Sequence, residues 1–325
     1  MTRATGVGSL PGEDFTTALK LVLDELPDLP HLPELPGRGV TAGMVGRTLG
    51  LVTGIGVDLQ PAGWRLTDAA GIDHRRARSL IDQDLDGLEE HTQGYTGSFK
   101  VQVCGPWTLA ATVEKPRGDK VLSDVGARRD LAQALAESVR DHVRDLRRRM
   151  RDVDQLIVQV DEPGLAAVLG GRVPTASGFG RHRTVHPPEA SEHLEWLLAA
   201  IADEGAEPWV HSCSADVPWG LLRGAGARGL VADLSQTDAA GHDVFGEALE
   251  SGDTVVLGLV SSTDATVTST EVVERVLRWL DMLGLDLEQV HERLLVSGTC
   301  GYSGASTGWA REAMRLSRES ASSLS

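Results

Sequence analysis

The sequence of 325 residues predicts an α/β fold of the (β/α)8 TIM-barrel class. Short apolar runs that end in Gly, Pro or polar residues alternate with helical patterns, and eight such runs can be counted along the chain. A closed barrel needs eight parallel strands, whereas the alternative, an open doubly wound sheet, often has a GxGxxG motif after its first strand. The chain has no such motif there. Its length is typical of one large barrel, so we expect residues 1–325 to form a single domain.

The predicted strands and helices follow one another in the order that βα units require. The strand candidates are residues 5–9, 29–34, 99–104, 155–161, 207–211, 229–234, 254–259 and 293–296. The helical candidates are residues 16–26, 127–151, 190–203, 270–283 and 308–317. The segment 127–151 has apolar residues at helical spacing and an Arg-rich outer face, which is the pattern of an amphipathic helix.

The chain is strongly acidic, with a formal net charge of −16 at pH 7 and a pI of about 5.0. Such a surface repels phosphate backbones and anionic lipid, so we expect neither nucleic acid nor a membrane as partner. No apolar run of about 18 residues predicts a membrane span, and residues 1–15 lack the apolar core of a secretory signal. Three cysteines do not make a disulfide framework, so we expect a cytoplasmic protein with reduced thiols.

Polar and metal-binding residue types cluster at the ends of the predicted strands. The residues at these ends are Ser9, Glu34, Cys104, Asp161, Glu162, His211, Cys213, Asp233, Ser261 and Cys300. In a TIM barrel the C-terminal ends of all eight strands open onto one face, where the active site lies. We therefore expect side chains that are far apart in sequence to meet at this face.

Three of these residues predict a zinc site. His211 and Cys213 are two residues apart on an extended segment, so their side chains point to the same side, and Cys300 follows the last predicted strand. Catalytic zinc has three protein ligands of these types and one open position. The alternative is that the cysteines are small buried hydrophobic residues, and this is how we interpret Cys104.

Asp233 ends the predicted strand about twenty residues after Cys213 and has three possible roles. Its carboxylate is either a fourth zinc ligand that substrate displaces, a hydrogen-bond partner of His211, or part of a polar network at the barrel rim.

Five short motifs occur in a specific order between residue 6 and about residue 314. They are VGSLP at 7–11, CGPWTL at 104–109, VQVDEPGL at 158–165, HSC at 211–213, and TCG at 299–301 followed by GW at 308–309. Together they resemble the C-terminal catalytic barrel of the cobalamin-independent methionine synthase family, whose segments read IGSFP, TGPVT, IQIDEPAL, HxC and DCG…GW. The chain resembles a relative that has only this one barrel.

The resemblance implies a function and a set of site residues. The family transfers a methyl group from a methylated folate to homocysteine, using zinc held by a His, two Cys and a Glu. By this resemblance His211, Cys213 and Cys300 are the ligands and the catalytic residues, and Asp233 falls at the family's Glu with a one-residue gap.

The same resemblance places the amino-acid part of homocysteine. Val7, Ser9 and Asp161 fall where the family holds it, and Glu34 is the candidate for a second carboxylate. Adjacent residues of a strand point to opposite sides, so only one of Asp161 and Glu162 faces the barrel mouth, and we expect it to be Asp161.

Two departures from the family pattern concern the methyl donor. The family's full-length enzyme has an additional N-terminal barrel, and it has a proton-handling His where this chain reads GLVSSTDATV at 258–267. A tertiary amine leaves readily only when it is protonated. The sequence therefore predicts inefficient use of methyl-folate, with a methyl-corrinoid, supplied free or on a corrinoid protein, as the other candidate donor.

The Gly- and Arg-rich segment 169–186 is either a lid over the barrel mouth or a solvated loop. Two other function classes stay open beside the zinc methyltransferase. One is a metal-free barrel enzyme similar to uroporphyrinogen decarboxylase, although the segment after the first strand lacks the Arg residues expected there. The other is a non-catalytic barrel with structural zinc.

Overall fold

The structure is a computed structural model that describes residues 2–324. Its strands are β1 (Arg3–Ala4), β2 (Gly56–Gln60), β3 (Gly63–Thr67), β4 (Ser98–Cys104), β5 (Gln155–Asp161), β6 (Glu207–Ser212), β7 (Gly229–Asp233), β8 (Thr254–Val260) and β9 (Leu294–Gly298). Its α-helices are α1 (Phe15–Glu25), α2 (Met44–Leu51), α3 (Ile72–His91), α4 (Pro106–Thr112), α5 (Val125–Arg149), α6 (Leu165–Leu169), α7 (Pro187–Asp203), α8 (Trp219–Gly224), α9 (Ala239–Glu250), α10 (Ser269–Leu283), α11 (Leu287–Val290) and α12 (Thr307–Ser323). None of these helices is long and apolar enough to cross a membrane.

Seven strands form one curled parallel sheet in the order β1-β9-β8-β7-β6-β5-β4. Residues 29–34, here called the bridging segment, lie between its two outer strands. Parallel bridges join His31 to Lys100 on one side and Glu34 to Ser9 on the other. The segment contains prolines, which cannot donate to a strand ladder, so its pairing is limited to short bridges. With it the sheet has the eight strand positions of a barrel, and the predicted fold class is confirmed.

The chain between the bridging segment and β4 contains the β2–β3 hairpin and helix α3, which the sequence pattern did not predict. The hairpin is antiparallel and is not part of the barrel sheet. Helix α3 has a narrow apolar stripe, with Ala77, Ile81 and Leu88 buried among many charged residues. Such a stripe gives a weak periodic signal, because most positions of the helix read as polar.

The barrel interior has an apolar floor. Alternate residues of a strand face opposite sides of the sheet, and the outward-facing ones, such as Val158 and Val210, pack against the helices. The inward-facing ones form a separate cluster of Leu29, Ile157, Trp209, Val231, Val256 and Leu295. Each such buried side chain contributes about 1.5–3 kcal/mol of hydrophobic stabilisation.

The residues two positions beyond this floor point into the same interior but nearer the mouth. Gln159 follows Ile157 in this way, and His211 follows Trp209. The parallel register places Asp161 directly beside His211. The barrel therefore changes from apolar at its floor to polar and acidic at the C-terminal ends of the strands.

Candidate metal and thiol site

A cavity of about 300 Å³ opens at the C-terminal ends of the barrel strands. Seven residues that the sequence analysis singled out line it, namely Val7, Ser9, Glu34, Asp161, His211, Cys213 and Cys300. They come from the segment after β1, the bridging segment, β5, β6 and the turns that follow β6 and β9. The structure thus brings together groups separated by up to about 290 residues of chain, and their individual roles remain predictions.

His211, Cys213 and Cys300 form a compact group of possible metal ligands. One ligand atom from each lies within 4.8 Å of the others, and the two Sγ atoms are 2.9 Å apart. Nε2 of His211 is buried and has no hydrogen-bond partner among residues 2–324. A buried nitrogen without a partner costs about 1–3 kcal/mol. One imidazole and two thiols that converge in this way fit a zinc ion with an open fourth position.

The pKa values of the three groups reflect this crowding. The hydrogen bond between the thiols lowers the pKa of Cys213 and, with burial, raises that of Cys300, because an ionised sulfur accepts from its neighbour. Burial alone would lower the pKa of His211, but its hydrogen bond to Asp161 and the nearby Cys300 sulfur raise the pKa to about 9. The two thiols therefore ionise unequally, as one coupled pair.

Asp161 holds the imidazole in place. Its Oδ1 is 2.8 Å from Nδ1 of His211 and accepts a second hydrogen bond, of 2.7 Å, from Nε2 of Gln159. This contact assigns the proton to Nδ1 and leaves Nε2 free to face the thiols, which is the usual arrangement behind a metal-binding His. The family resemblance implies a different role for Asp161, binding of the substrate amino group, and that role stays a prediction.

Glu162 points away from the cavity, as the strand alternation predicted. Its carboxylate accepts hydrogen bonds from the backbone N–H groups of Trp107 and Thr108 and from the Thr108 hydroxyl. Burial raises the pKa of Glu162 to about 7, although these hydrogen bonds oppose the shift. The residue therefore fastens the start of α4 to β5 and has no direct access to the site.

Glu34 is a buried carboxylate on the cavity wall, and the guanidinium of Arg47 lies next to it. Burial raises the pKa of Glu34 to about 7, although Arg47, with Nε at 3.8 Å, opposes the shift. Arg47 is fixed in turn by Asp84 at 2.8 Å, and Asp84 also forms a two-pronged ion pair with Arg38. The structure contains this chain of charges, and the sequence analysis did not identify it.

Asp233 lies outside the group of ligand atoms within the part of the chain that the structure describes. Its Oδ1 accepts hydrogen bonds from the backbone N–H and the hydroxyl of Ser235, at 2.9 and 2.7 Å. A ligand role would require the carboxylate to move closer to the ligand atoms of His211, Cys213 and Cys300. The assignment of Asp233 as a metal ligand therefore stays a prediction.

Cys104 is fully buried among apolar core residues, and burial raises the pKa of its thiol. This environment agrees with the interpretation of Cys104 as a packing residue.

The segment 169–186 forms a loop beside the mouth. Arg172 pairs with Asp216 at 3.4 Å, and Phe179 is fully exposed at the tip. Whether this loop acts as a lid stays a prediction.

Comparisons with known proteins agree with this architecture. Residues 99–323 match the model of the family described as "Cobalamin-independent synthase, Catalytic domain". No curated protein matches the chain in sequence. Among solved structures, a B12-independent methionine synthase from Shewanella sp. W3-18-1, in complex with selenomethionine, has a TM-score of 0.68 and 16% identity. That alignment covers 100% of this chain and 98% of the other, and it supports the barrel fold.

A second solved structure, an Amycolatopsis orientalis BexX/CysO complex, has a TM-score of 0.35 and 12% identity, covering 100% of this chain and 89% of the other.

The family match corrects one prediction. A methyl-corrinoid donor, and with it a corrinoid-protein partner, conflicts with a cobalamin-independent family. The prediction depended on the missing His in segment 258–267 and on the single barrel. The absence of one acid bears on the efficiency of proton transfer, but it does not identify a different donor.

Proposed function

The chain belongs to the family of cobalamin-independent synthase catalytic domains, and on that premise we propose that it is a zinc-dependent methyltransferase that converts homocysteine to methionine. The observation that carries the proposal is the convergence of His211, Cys213 and Cys300, with a buried and unpartnered imidazole nitrogen, at one wall of an acidic cavity. A metal-free decarboxylase gives no reason for that combination, and three protein ligands leave the fourth zinc position open, as in a catalytic site.

Cys213, Cys300 and His211 would hold the zinc. When bound, zinc keeps a substrate thiol deprotonated at neutral pH, where a free thiol with a pKa near 8.5 is mostly protonated. Cys213 and Cys300 contribute two negative charges that balance a divalent cation, and neutral His211 adds none. The site is therefore charge-balanced before a substrate thiolate arrives, so that this sulfur stays electron-rich and nucleophilic.

The rest of the cavity suits the amino-acid part of the substrate. The carboxylates of Glu34 and Asp161 line it and offer partners for an ammonium group, while the backbone at Val7 and Ser9 lies beside them. Met44 supplies apolar surface for a methylene chain or a methyl group. The selenomethionine named for the Shewanella protein has the shape of the proposed product, which supports an amino-acid thioether in the corresponding cavity here.

For the donor we propose a methyl-folate, in keeping with cobalamin independence. The segment after β8 provides Ser261, Ser262 and Thr263 where the family has its proton-handling His. Ser261 Oγ donates to the Thr263 carbonyl, and the Ser262 N–H donates to Thr299. None of these hydroxyls is a good acid at neutral pH, so we expect methyl transfer from folate to be slow.

The direct test is metal content with matched cysteine variants. We expect about one zinc per purified chain, and Cys213→Ser and Cys300→Ser should each lose most of it because each removes one of three ligands. Cys104→Ser is the control, since Cys104 lies in the packed core, and it should keep its zinc. Full zinc retention in both ligand variants would contradict the proposal, and so would a wild-type protein that takes up none.

A further inference from the structure

A buried polar layer lies between the apolar floor of the barrel and the proposed zinc ligands. It consists of Lys100 and Gln102 on β4 and Gln159 on β5, and the register places Gln102 beside Gln159. Lys100 and Gln159 are fully buried. A buried ammonium or amide is costly unless its hydrogen-bonding groups are satisfied, so these residues need a structural or functional reason.

Gln159 is the centre of this layer. Its Oε1 accepts a hydrogen bond of 2.8 Å from the ammonium of Lys100. Its Nε2 donates to two acceptors, the Val7 carbonyl at 3.0 Å and Asp161 Oδ1 at 2.7 Å. Val7 and Asp161 both line the cavity, and Lys100 supports Val7 by donating to its carbonyl.

Lys100 determines which way the Gln159 amide faces. An ammonium group only donates, so the amide must present its oxygen to Lys100 and its nitrogen to the two acceptors. Lys100 also donates to the Val7 carbonyl at 3.0 Å, which strengthens the same arrangement. Without the ammonium, Oε1 of Gln159 would lose its donor, and only the Val7 carbonyl and Asp161 would hold the amide in this orientation.

We propose that Lys100 and Gln159 are positioning residues of the metal site. Lys100 fixes the Gln159 amide, the amide fixes Asp161, and Asp161 presents Nε2 of His211 to the two thiols. The same amide holds the Val7 carbonyl, so the pocket for the amino acid and the metal ligands are set by one side chain. The inference depends on the proposed function for its metal, but not for the hydrogen bonds themselves.

Gln159→Glu tests the inference with little change in shape. One carboxylate oxygen still accepts from Lys100, but the other meets the Val7 carbonyl and Asp161, where only acceptors remain. We expect zinc affinity, measured by competition with a chromogenic chelator, to fall by on the order of 10-fold or more, because disturbing the partner behind a metal-binding His typically costs roughly 10–100-fold. The visible spectrum of the cobalt-substituted protein should also change.

Gln102→Glu is the matched control. It makes the same chemical change in the same layer, but Gln102 donates to the carbonyls of Val7 and Leu32 and not to Asp161. We expect its zinc affinity to be no weaker than that of the wild type and its cobalt spectrum to be unchanged. Equal losses in the two variants would overturn the inference, and so would wild-type affinity and spectrum in Gln159→Glu.

Two further measurements keep the inference open to refutation. If Gln159→Glu fails to fold, Lys100→Met carries the same test, because removing the ammonium takes away the donor that holds Oε1 of Gln159. If the wild type takes up no zinc, the proposed function fails, and the ¹⁵N spectrum of His211 in the metal-free protein, recorded above pH 9 where the imidazole is neutral, then tests positioning by itself. A proton on Nδ1 in the wild type, and a mixture of tautomers in the variant, is the expected result. The same tautomer in both would contradict the inference.

Discussion

Asp161→Asn tests how far the site depends on one carboxylate. Oδ1 of Asp161 faces two donors, His211 Nδ1 at 2.8 Å and Gln159 Nε2 at 2.7 Å. An Asn side chain can place its oxygen there and keep both hydrogen bonds, but it loses the negative charge that strengthens them. Its NH2 group then occupies the other oxygen position, which is the one left for a substrate ammonium.

The structure predicts two losses of measurable size. A weakened support behind His211 should raise the dissociation constant for zinc by roughly 10–100-fold, which corresponds to about 1.4–2.7 kcal/mol. The Asn NH2 group would stand where a carboxylate oxygen of Asp161 pairs with the substrate ammonium. This change should weaken homocysteine binding to the zinc-loaded protein by about 1–3 kcal/mol, or roughly 5–150-fold. Chelator competition measures the first loss, and titration calorimetry at saturating zinc measures the second.

Glu162→Gln is the control, because it changes the adjacent carboxylate, which faces α4 and not the cavity. It should cost stability, since one N–H donor of Trp107 or Thr108 would meet the new amide group, and it should leave both affinities unchanged. If Asp161→Asn bound zinc and homocysteine as the wild type does, the orientation of His211 would not depend on this charge. The role of Asp161 as the support behind His211 would then be wrong.

Two other predictions concern pH. Burial lowers the pKa of His142 on α5 to about 4, whereas in the unfolded chain the imidazole becomes protonated at about pH 6.5. The contribution of His142 to the free energy of unfolding is therefore present above pH 6.5 and is lost as the pH falls through about 4. The loss is on the order of 3 kcal/mol, and urea titrations of His142→Leu should lack this part of the acid destabilisation, whereas an identical pH dependence in both proteins would contradict it. For the donor, methionine formation from methyl-folate should speed up as the pH is lowered from about 8 to about 6, because the leaving amine must take its proton from solution. A rate independent of pH over that range would show that another acid replaces the missing His.

The sequence predicted the barrel and the residues around its mouth because both follow from chain-local signals. Strand ends in a parallel barrel share one face, so His211, Cys213 and Cys300 were expected to meet although 87 residues separate the two cysteines. The alternation of side chains along β5 likewise separated Asp161 from Glu162 correctly.

Other features depend on information that no local pattern contains. The contact of Asp161 with His211 requires the register between β5 and β6. The layer of Lys100 and Gln159 requires knowledge of which strand face closes onto the barrel axis, since a Lys in a strand otherwise reads as exposed. The position of Asp233 depends on a local turn, in which the Ser235 hydroxyl donates a hydrogen bond to the Asp233 carboxylate.

The most direct test of the central claim is X-ray absorption at the zinc edge, with and without homocysteine. We expect a zinc shell with two sulfurs and one imidazole nitrogen in the free protein, at about 2.3 Å and about 2.0–2.1 Å respectively. On addition of homocysteine we expect a third sulfur at the same distance, in both the wild type and Cys104→Ser. A shell that already holds four protein ligands and does not change with the thiol would indicate a structural zinc site and contradict the account.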